Sequence, residues 1–256
     1  MNARIPSPDR DPTSQARPDA DTPAFWLAMF AASAFGTNLG DFWSDFWAAS
    51  VNPDTVSSLV SLAVLGAICL LPVWLDQRAK GGSVIAYWGA IIVLRAAATD
   101  LGDLLTHDLA LGYGVASLLT AVLTMLFAKS TRPAQADRGA PLVDPGYWLA
   151  MSAASVFGTV AGDMVAHSIG VYAAAISLGL VLMGAIAARR TWPSTTTFSY
   201  WLLVMLERTA ATPFGDTFAS HRGLALGLPV AMVCTSCLCV VGLLVLYRWQ
   251  LQSRPS

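Results

Sequence analysis

Residues Tyr87 to Asp108 read YWGAIIVLRAAATDLGDLLTHD. The stretch begins as an apolar helix led by an aromatic pair. It then takes on Arg95, Thr99, Asp100, Asp103, His107 and Asp108. Charge at that density is costly inside lipid, yet the neighbouring segments are lipid-like. Val56 to Leu75 and Gly223 to Tyr247 carry no charge, and each is long enough to cross a hydrocarbon core of about 30 Å.

The pattern in this stretch recurs. An aromatic-Trp pair, ten residues, Thr, two residues and Gly-Asp occur four times without a gap. The first copy is Phe25, Trp26, Thr37, Gly40 and Asp41; the second is Tyr87, Trp88, Thr99, Gly102 and Asp103. The third is Tyr147, Trp148, Thr159, Gly162 and Asp163; the fourth is Tyr200, Trp201, Thr212, Gly215 and Asp216. Four identical spacings mark an internal repeat. A plain apolar helix follows each motif helix, near 56–75, 110–128, 170–188 and 223–247. Eight spans result, two per repeat, and an even number per repeat keeps the motif helices parallel.

The repeats are nested. FWLAMFAASAFGT in the first resembles YWLAMSAASVFGT in the third. The second and fourth place Arg95 and Arg208 seven residues after the Trp, where the others have Ser33 and Ser155. Two duplicated halves, 23–128 and 146–248, are joined by a linker, 129–145, with a disordered tail over 1–22 and a short tail over 249–256. Both tails and the linker are expected to be cytoplasmic. Parallel repeats imply a pseudo-symmetry axis along the membrane normal. The expected fold is therefore all-α and membrane-embedded.

Composition agrees. Of 256 residues, 55% are hydrophobic and 12% charged, against roughly 25% charged in a soluble domain. A net charge of −1 with no basic patch argues against nucleic acid. The N-terminal tail is too long and too mixed in charge for a cleaved signal peptide. Cys69, Cys234, Cys237 and Cys239 lie in apolar spans and form no disulfide framework; the last three read as small apolar packing. Twelve of the 15 basic residues lie in the tails and the links between repeats, which predicts both termini on the cytoplasmic side.

On a helix the Trp, Ser/Arg, Thr, Gly and Asp positions span only about 100° of arc, so the motif occupies one side. Recurrence on one side predicts that this side faces protein. The four aspartates should share one depth, about 22 Å beyond the Trp at 1.5 Å per residue. Four residues after each comes Asp45, His107, His167 or Ser220, the last followed by His221.

These residues set the functional expectations. Asp41, Asp103, Asp163 and Asp216 are the candidate principal ligands of a cation, with His107, His167, Asp45 and His221 as outer or auxiliary ligands. Arg95 and Arg208 would tune the charge and hold carboxylates, leaving a surplus of two negative charges that suits one divalent ion. Carboxylate with imidazole favours Mn, Fe, Co, Ni or Zn over Ca or Mg. Thr37, Thr99, Thr159 and Thr212 either bond their own backbone or line a polar path. Trp26, Trp88, Trp148 and Trp201 are expected as interface anchors. Glu207 and Asp100 do not recur and read as local partners. No nucleophile-base arrangement points to an enzyme.

A divalent transition-metal transporter or exporter, with the ion as substrate and no resident cofactor, is the leading expectation. A proton-conducting or proton-coupled carrier of another solute is the alternative. A redox protein holding haem between His107 and His167 is the third. The expected partners are the lipid bilayer and a small inorganic cation, with a homo-oligomer left open.

The four Trp…Thr-x-x-Gly-Asp sets resemble a bacterial family of multi-pass membrane proteins built from four tandem two-helix repeats, each with a characteristic tryptophan. The resemblance runs from Phe25 to Tyr247. It implies a place in the bacterial cytoplasmic (inner) membrane and supplies no activity.

Overall fold

The computed structural model describes residues 20–50, 54–79, 82–132, 140–191, 197–221 and 223–252. Among these there is no strand. Eight long helices follow one another: α1 (Pro23–Ala48), α2 (Asp54–Arg78), α3 (Val84–Asp103), α4 (Gly112–Ser130), α5 (Pro145–Ile169), α6 (Val171–Thr191), α7 (Thr197–Ala219) and α8 (Leu228–Gln252). A turn of π-helix, Leu104–Asp108, extends α3.

Local chemistry sets several ends. Thr22, Ser83 and Asp144 each accept a backbone N–H at the start of α1, α3 and α5, relieving amides that have no helical partner. Gly170, at φ 89°, stops α5 and lets α6 begin at the next residue. Two boundaries differ from expectation. Helix α8 begins at Leu228 and runs to Gln252, into the residues expected as a tail. Ala20 is buried and its carbonyl accepts from Trp26 Nε1 at 2.8 Å, so the end of the expected N-terminal tail is packed. The rest of that tail, residues 133–139 of the linker and the last four residues lie outside the described residues.

Six helices, α2 to α6 and α8, are long and apolar enough to cross a membrane. Helices α1 and α7 are as long but more polar, carrying Asn38, Asp41 and Asp45 in one and Glu207, Arg208 and Asp216 in the other. They tolerate this because they sit at the centre. The motif helices α1, α3, α5 and α7 pack side by side in chain order, and α7 closes back onto α1. Around them, α2 lies mainly on α3, α4 on α5, α6 on α7 and α8 on α1. Each plain helix thus supports the next motif helix more than its own predecessor. Burial follows: 61% and 67% of the apolar windows of α3 and α5 are buried, against 11–28% for α2, α4, α6 and α8. The outer helices turn Leu70, Leu71, Leu118, Ile176, Leu180 and Val241 outward.

Two sets of contacts close the inner ring. Phe25 meets Trp88, Tyr87 meets Trp148, Tyr147 meets Trp201 and Tyr200 meets Trp26, with ring centroids 5.3–6.0 Å apart. Nearer the other end each motif Gly faces the motif Thr of the next inner helix. A methyl on Gly40 would stand 2.8 Å from Thr99 Cβ, on Gly102 3.1 Å from Thr159 Cγ2, on Gly162 2.8 Å from Thr212 Cβ and on Gly215 3.3 Å from Thr37 Cβ. Small residues permit that approach.

The tryptophans are therefore not lipid-facing anchors. Trp26, Trp88, Trp148 and Trp201 are 1%, 4%, 6% and 0% exposed. Each indole is wedged between two inner helices, where ring packing outweighs the interfacial preference of an isolated Trp.

Candidate functional site

Every fourth residue of each inner helix faces the centre, which stacks side chains in layers. The first holds Phe25, Tyr87, Tyr147 and Tyr200, all buried. Tyr147 Oη lies 2.7 Å from Tyr87 Oη and 2.9 Å from Tyr200 Oη. The second is apolar and buried: Met29, Ile91, Met151 and Val204. Ser33, Arg95, Ser155 and Arg208 come next, then the four threonines, then the four aspartates.

The arginine layer is fully buried. Arg95 Nη2 pairs with Glu207 at 3.0 Å, and Nη1 donates to Ser155 Oγ at 2.8 Å. It reaches none of the motif aspartates, and Glu207, non-recurring in sequence, is its counter-ion. Arg208 behaves differently. Nη1 donates to Ser33 O (2.7 Å) and Thr37 Oγ1 (2.8 Å); Nη2 donates to Arg95 O (3.2 Å), Thr99 Oγ1 (2.9 Å) and Thr159 Oγ1 (2.8 Å). Among the described residues it makes no ion pair, and its Nε finds no acceptor. Room for both stems comes from Gly36, facing Arg95 Cβ, and Gly158, facing Arg208 Cβ and Cγ. In both places a side-chain methyl would collide.

The threonines do both things expected of them. Each donates to the carbonyl four residues back at 3.2 Å: Thr37 to Ser33, Thr99 to Arg95, Thr159 to Ser155 and Thr212 to Arg208. All four also line a cavity of about 360 Å³.

That cavity brings together most of the candidate residues. Asp41, Asp103, Asp163 and Asp216, from four different helices, line it with His107 and His167. With Arg95 neutralised by Glu207, these four carboxylates stand above one unpaired guanidinium, so their formal excess is three rather than the expected two. His107 Nδ1 lies 3.5 Å from Asp103 Oδ1, one turn back through the π-helical segment. Asp45 and His221 are exposed and do not line the cavity. Asp45 lies one helical turn beyond the cavity lining, near the end of α1, and His221 has left α7 altogether. Among the described residues, no three His, Cys, Asp or Glu side chains are drawn together as around a metal ion.

Sequence reasoning missed Tyr113, at the start of α4. Its ring packs near both imidazoles, 6.1 Å from His107 and 6.0 Å from His167, and its hydroxyl lies 3.5 Å from His107 Nε2. Tyr113 does not recur, so no spacing marks it. Asn38 was also missed; it donates to Gly215 O (3.3 Å) and Thr235 Oγ1 (3.2 Å), tying α1 to α7 and α8. Asp100 turns outward and accepts from Ser61 on α2.

Compared with protein-family models, curated proteins and solved structures, the chain matches none of them.

Proposed function

We propose that the protein is a membrane transporter or exporter of divalent transition-metal cations, of the Mn, Zn, Fe, Co and Ni class. It would span the bacterial cytoplasmic membrane eight times, as four parallel two-helix repeats in two duplicated halves with both termini cytoplasmic. The pseudo-symmetry axis would run down the cavity. The cyclic aromatic-Trp and Gly–Thr contacts support that arrangement, as does the likeness to the four-repeat family, which rests on the motif.

One observation carries the transport reading. Four carboxylates and two imidazoles from separate stretches of sequence line one cavity at the centre of a bundle with an apolar outer surface. Half-buried carboxylates grouped in such a bundle repel one another unless a cation is present. The cavity is roomy enough for an ion that keeps its first hydration shell, which suits a carrier better than a tight resident site. Asp41, Asp103, Asp163 and Asp216 attract and hold the ion, His107 and His167 favour transition metals, and the Thr layer forms the floor. Flux of Mn²⁺ or Zn²⁺ into proteoliposomes tests this. Asp103→Asn should lower it at least about tenfold, equivalent to about 1.4 kcal/mol, and unchanged flux would falsify the assigned role.

A second reading has its own observation. The hydroxyl chain Tyr87–Tyr147–Tyr200 and the Arg95–Glu207 pair lie in two layers below the cavity, separated by the apolar layer of Met29, Ile91, Met151 and Val204. They suit a proton-coupled carrier of another solute. Proton flux at full rate in the presence of a chelator would favour this reading over the first.

A further inference from the structure

Arg208 is fully buried, yet it is held by neutral oxygens alone. Three are threonine hydroxyls and two are backbone carbonyls, contributed by α1, α3 and α5. A buried guanidinium ordinarily takes a carboxylate partner, as Arg95 does. The hydroxyl protons of Thr37, Thr99 and Thr159 are already donated to carbonyls on their own helices. Their lone pairs are what remains to face the centre. The set is therefore acceptor-only, with three inner helices supplying oxygens around one positive charge. Rings of hydroxyl and carbonyl oxygens are the donor type that replaces the hydration shell of an alkali cation.

We propose that this oxygen ring is a second cation site, selective for monovalent cations, which Arg208 occupies from within as a tethered plug. The inference rests on reading the acidic cavity as a cation entrance, because the ring lies at that cavity's floor. Thr37, Thr99 and Thr159 belong to both. The position of the plug is built into the fold. Gly158 gives the Arg208 stem its track across α5, so the guanidinium arrives at the ring with little freedom. The aspartate layer one turn above draws the guanidinium towards the cavity. A cation settling among those aspartates screens that attraction and repels Arg208, so occupancy of the upper site and release of the plug are linked in sign. Arg95 serves no such role, because Glu207 fixes it.

The test uses the full chain in detergent micelles, with a chelator and no divalent ion, and reads K⁺ binding by titration calorimetry. Arg208→Ala should bind K⁺ at least tenfold more tightly than wild type, and millimolar guanidinium should compete with K⁺ by refilling the ring. Arg208→Lys, which keeps a charge on a shorter stem, should bind K⁺ more weakly than Arg208→Ala. Arg95→Ala should bind no more tightly than wild type. A monodisperse, fully helical Arg208→Ala protein with wild-type K⁺ binding would overturn the proposal, and so would equal binding by Arg95→Ala. If Arg208→Ala does not fold, Arg208→Met removes the charge while keeping stem volume and all the ring oxygens. It should bind K⁺, and a folded Arg208→Met protein that does not would be equally fatal. None of these readings requires wild-type divalent flux, so failure of the metal-transport reading is seen separately.

Discussion

Arg95 and Arg208 occupy the same position in their repeats, seven residues after the tryptophan. Both lie across a glycine of the preceding inner helix, and both are fully buried. Only their partners differ. Arg95 has a carboxylate at 3.0 Å; Arg208 has five neutral oxygens and no ion pair among the described residues. The difference is the work of one residue, Glu207, which stands beside Arg208 in sequence but on the next face of α7. A duplicated arginine thus yields one structural ion pair and one charge left facing the cavity. Equal sequence position does not make equal function once a single unrepeated neighbour has broken the balance.

The sharpest way to break this comparison is to remove Glu207. Glu207→Ala strands the Arg95 charge in a buried site, and losing one partner of a buried pair costs about 3–5 kcal/mol. Arg208→Ala strands no charge. It orphans acceptors beside a cavity that water can reach, at about 1–3 kcal/mol. Unfolding in detergent micelles, followed by tryptophan fluorescence, measures both. Equal losses would mean that the two arginines are energetically alike and that the contrast in partners carries no weight.

The glycine beds provide the next test. Gly158→Ala and Gly36→Ala force a methyl into an arginine stem, and overpacking of this kind costs about 1–3 kcal/mol. Truncating Arg208 to alanine should relieve only the Cγ contact, because Arg208 Cβ, and Thr209 N at 2.9 Å, stay in place. The double variant Gly158→Ala/Arg208→Ala should lose less than the sum of its single variants, as contacting residues do. Gly184→Ala on α6, with open space around the new methyl, should cost nothing, because alanine favours helix by about 1 kcal/mol. A fully additive double variant would mean that the Arg208 Cγ contact carries no part of the cost.

These glycines show what could be read from sequence and what could not. The recurrence of Trp, Thr, Gly and Asp on one helix face predicts that this side faces protein, and the four aspartates and four threonines do line one cavity. It worked because a fixed spacing is a local property of one helix. The shared Phe-Gly-Thr of the first and third repeats was visible as a mark of duplication. Its purpose was not, because the arginine that needs Gly36 or Gly158 comes from the next helix. The Arg95–Glu207 pair spans 112 positions, and no periodicity ties its members. The tryptophans misled for a related reason: an indole near a span end prefers the interface when alone, and only the neighbouring helix shows that it is covered. Tyr113 was hidden because a π-helical turn, not the motif, brings α4 over the cavity mouth.

The smallest expected effects separate the threonines themselves. All four make the same bond to their own helix, but only Thr37, Thr99 and Thr159 accept from Arg208. Thr212 lies on the arginine's own helix and reaches only its carbonyl. Losing a bond to their own helix is nearly neutral for any of them, since such back-bonding contributes little or slightly destabilises. Losing a bond from a charged donor costs about 1.5–3 kcal/mol, and less here because the Arg208 amino groups divide their protons among several acceptors. Valine at Thr37, Thr99 or Thr159 should therefore lower stability by about 1 kcal/mol each, and Thr212→Val by less than about 0.5 kcal/mol. With the Arg208→Ala background the three larger values should fall to that of Thr212→Val. If all four are equal in wild type, Arg208 is not held by this ring, and the two arginines differ only in what Glu207 does for one of them.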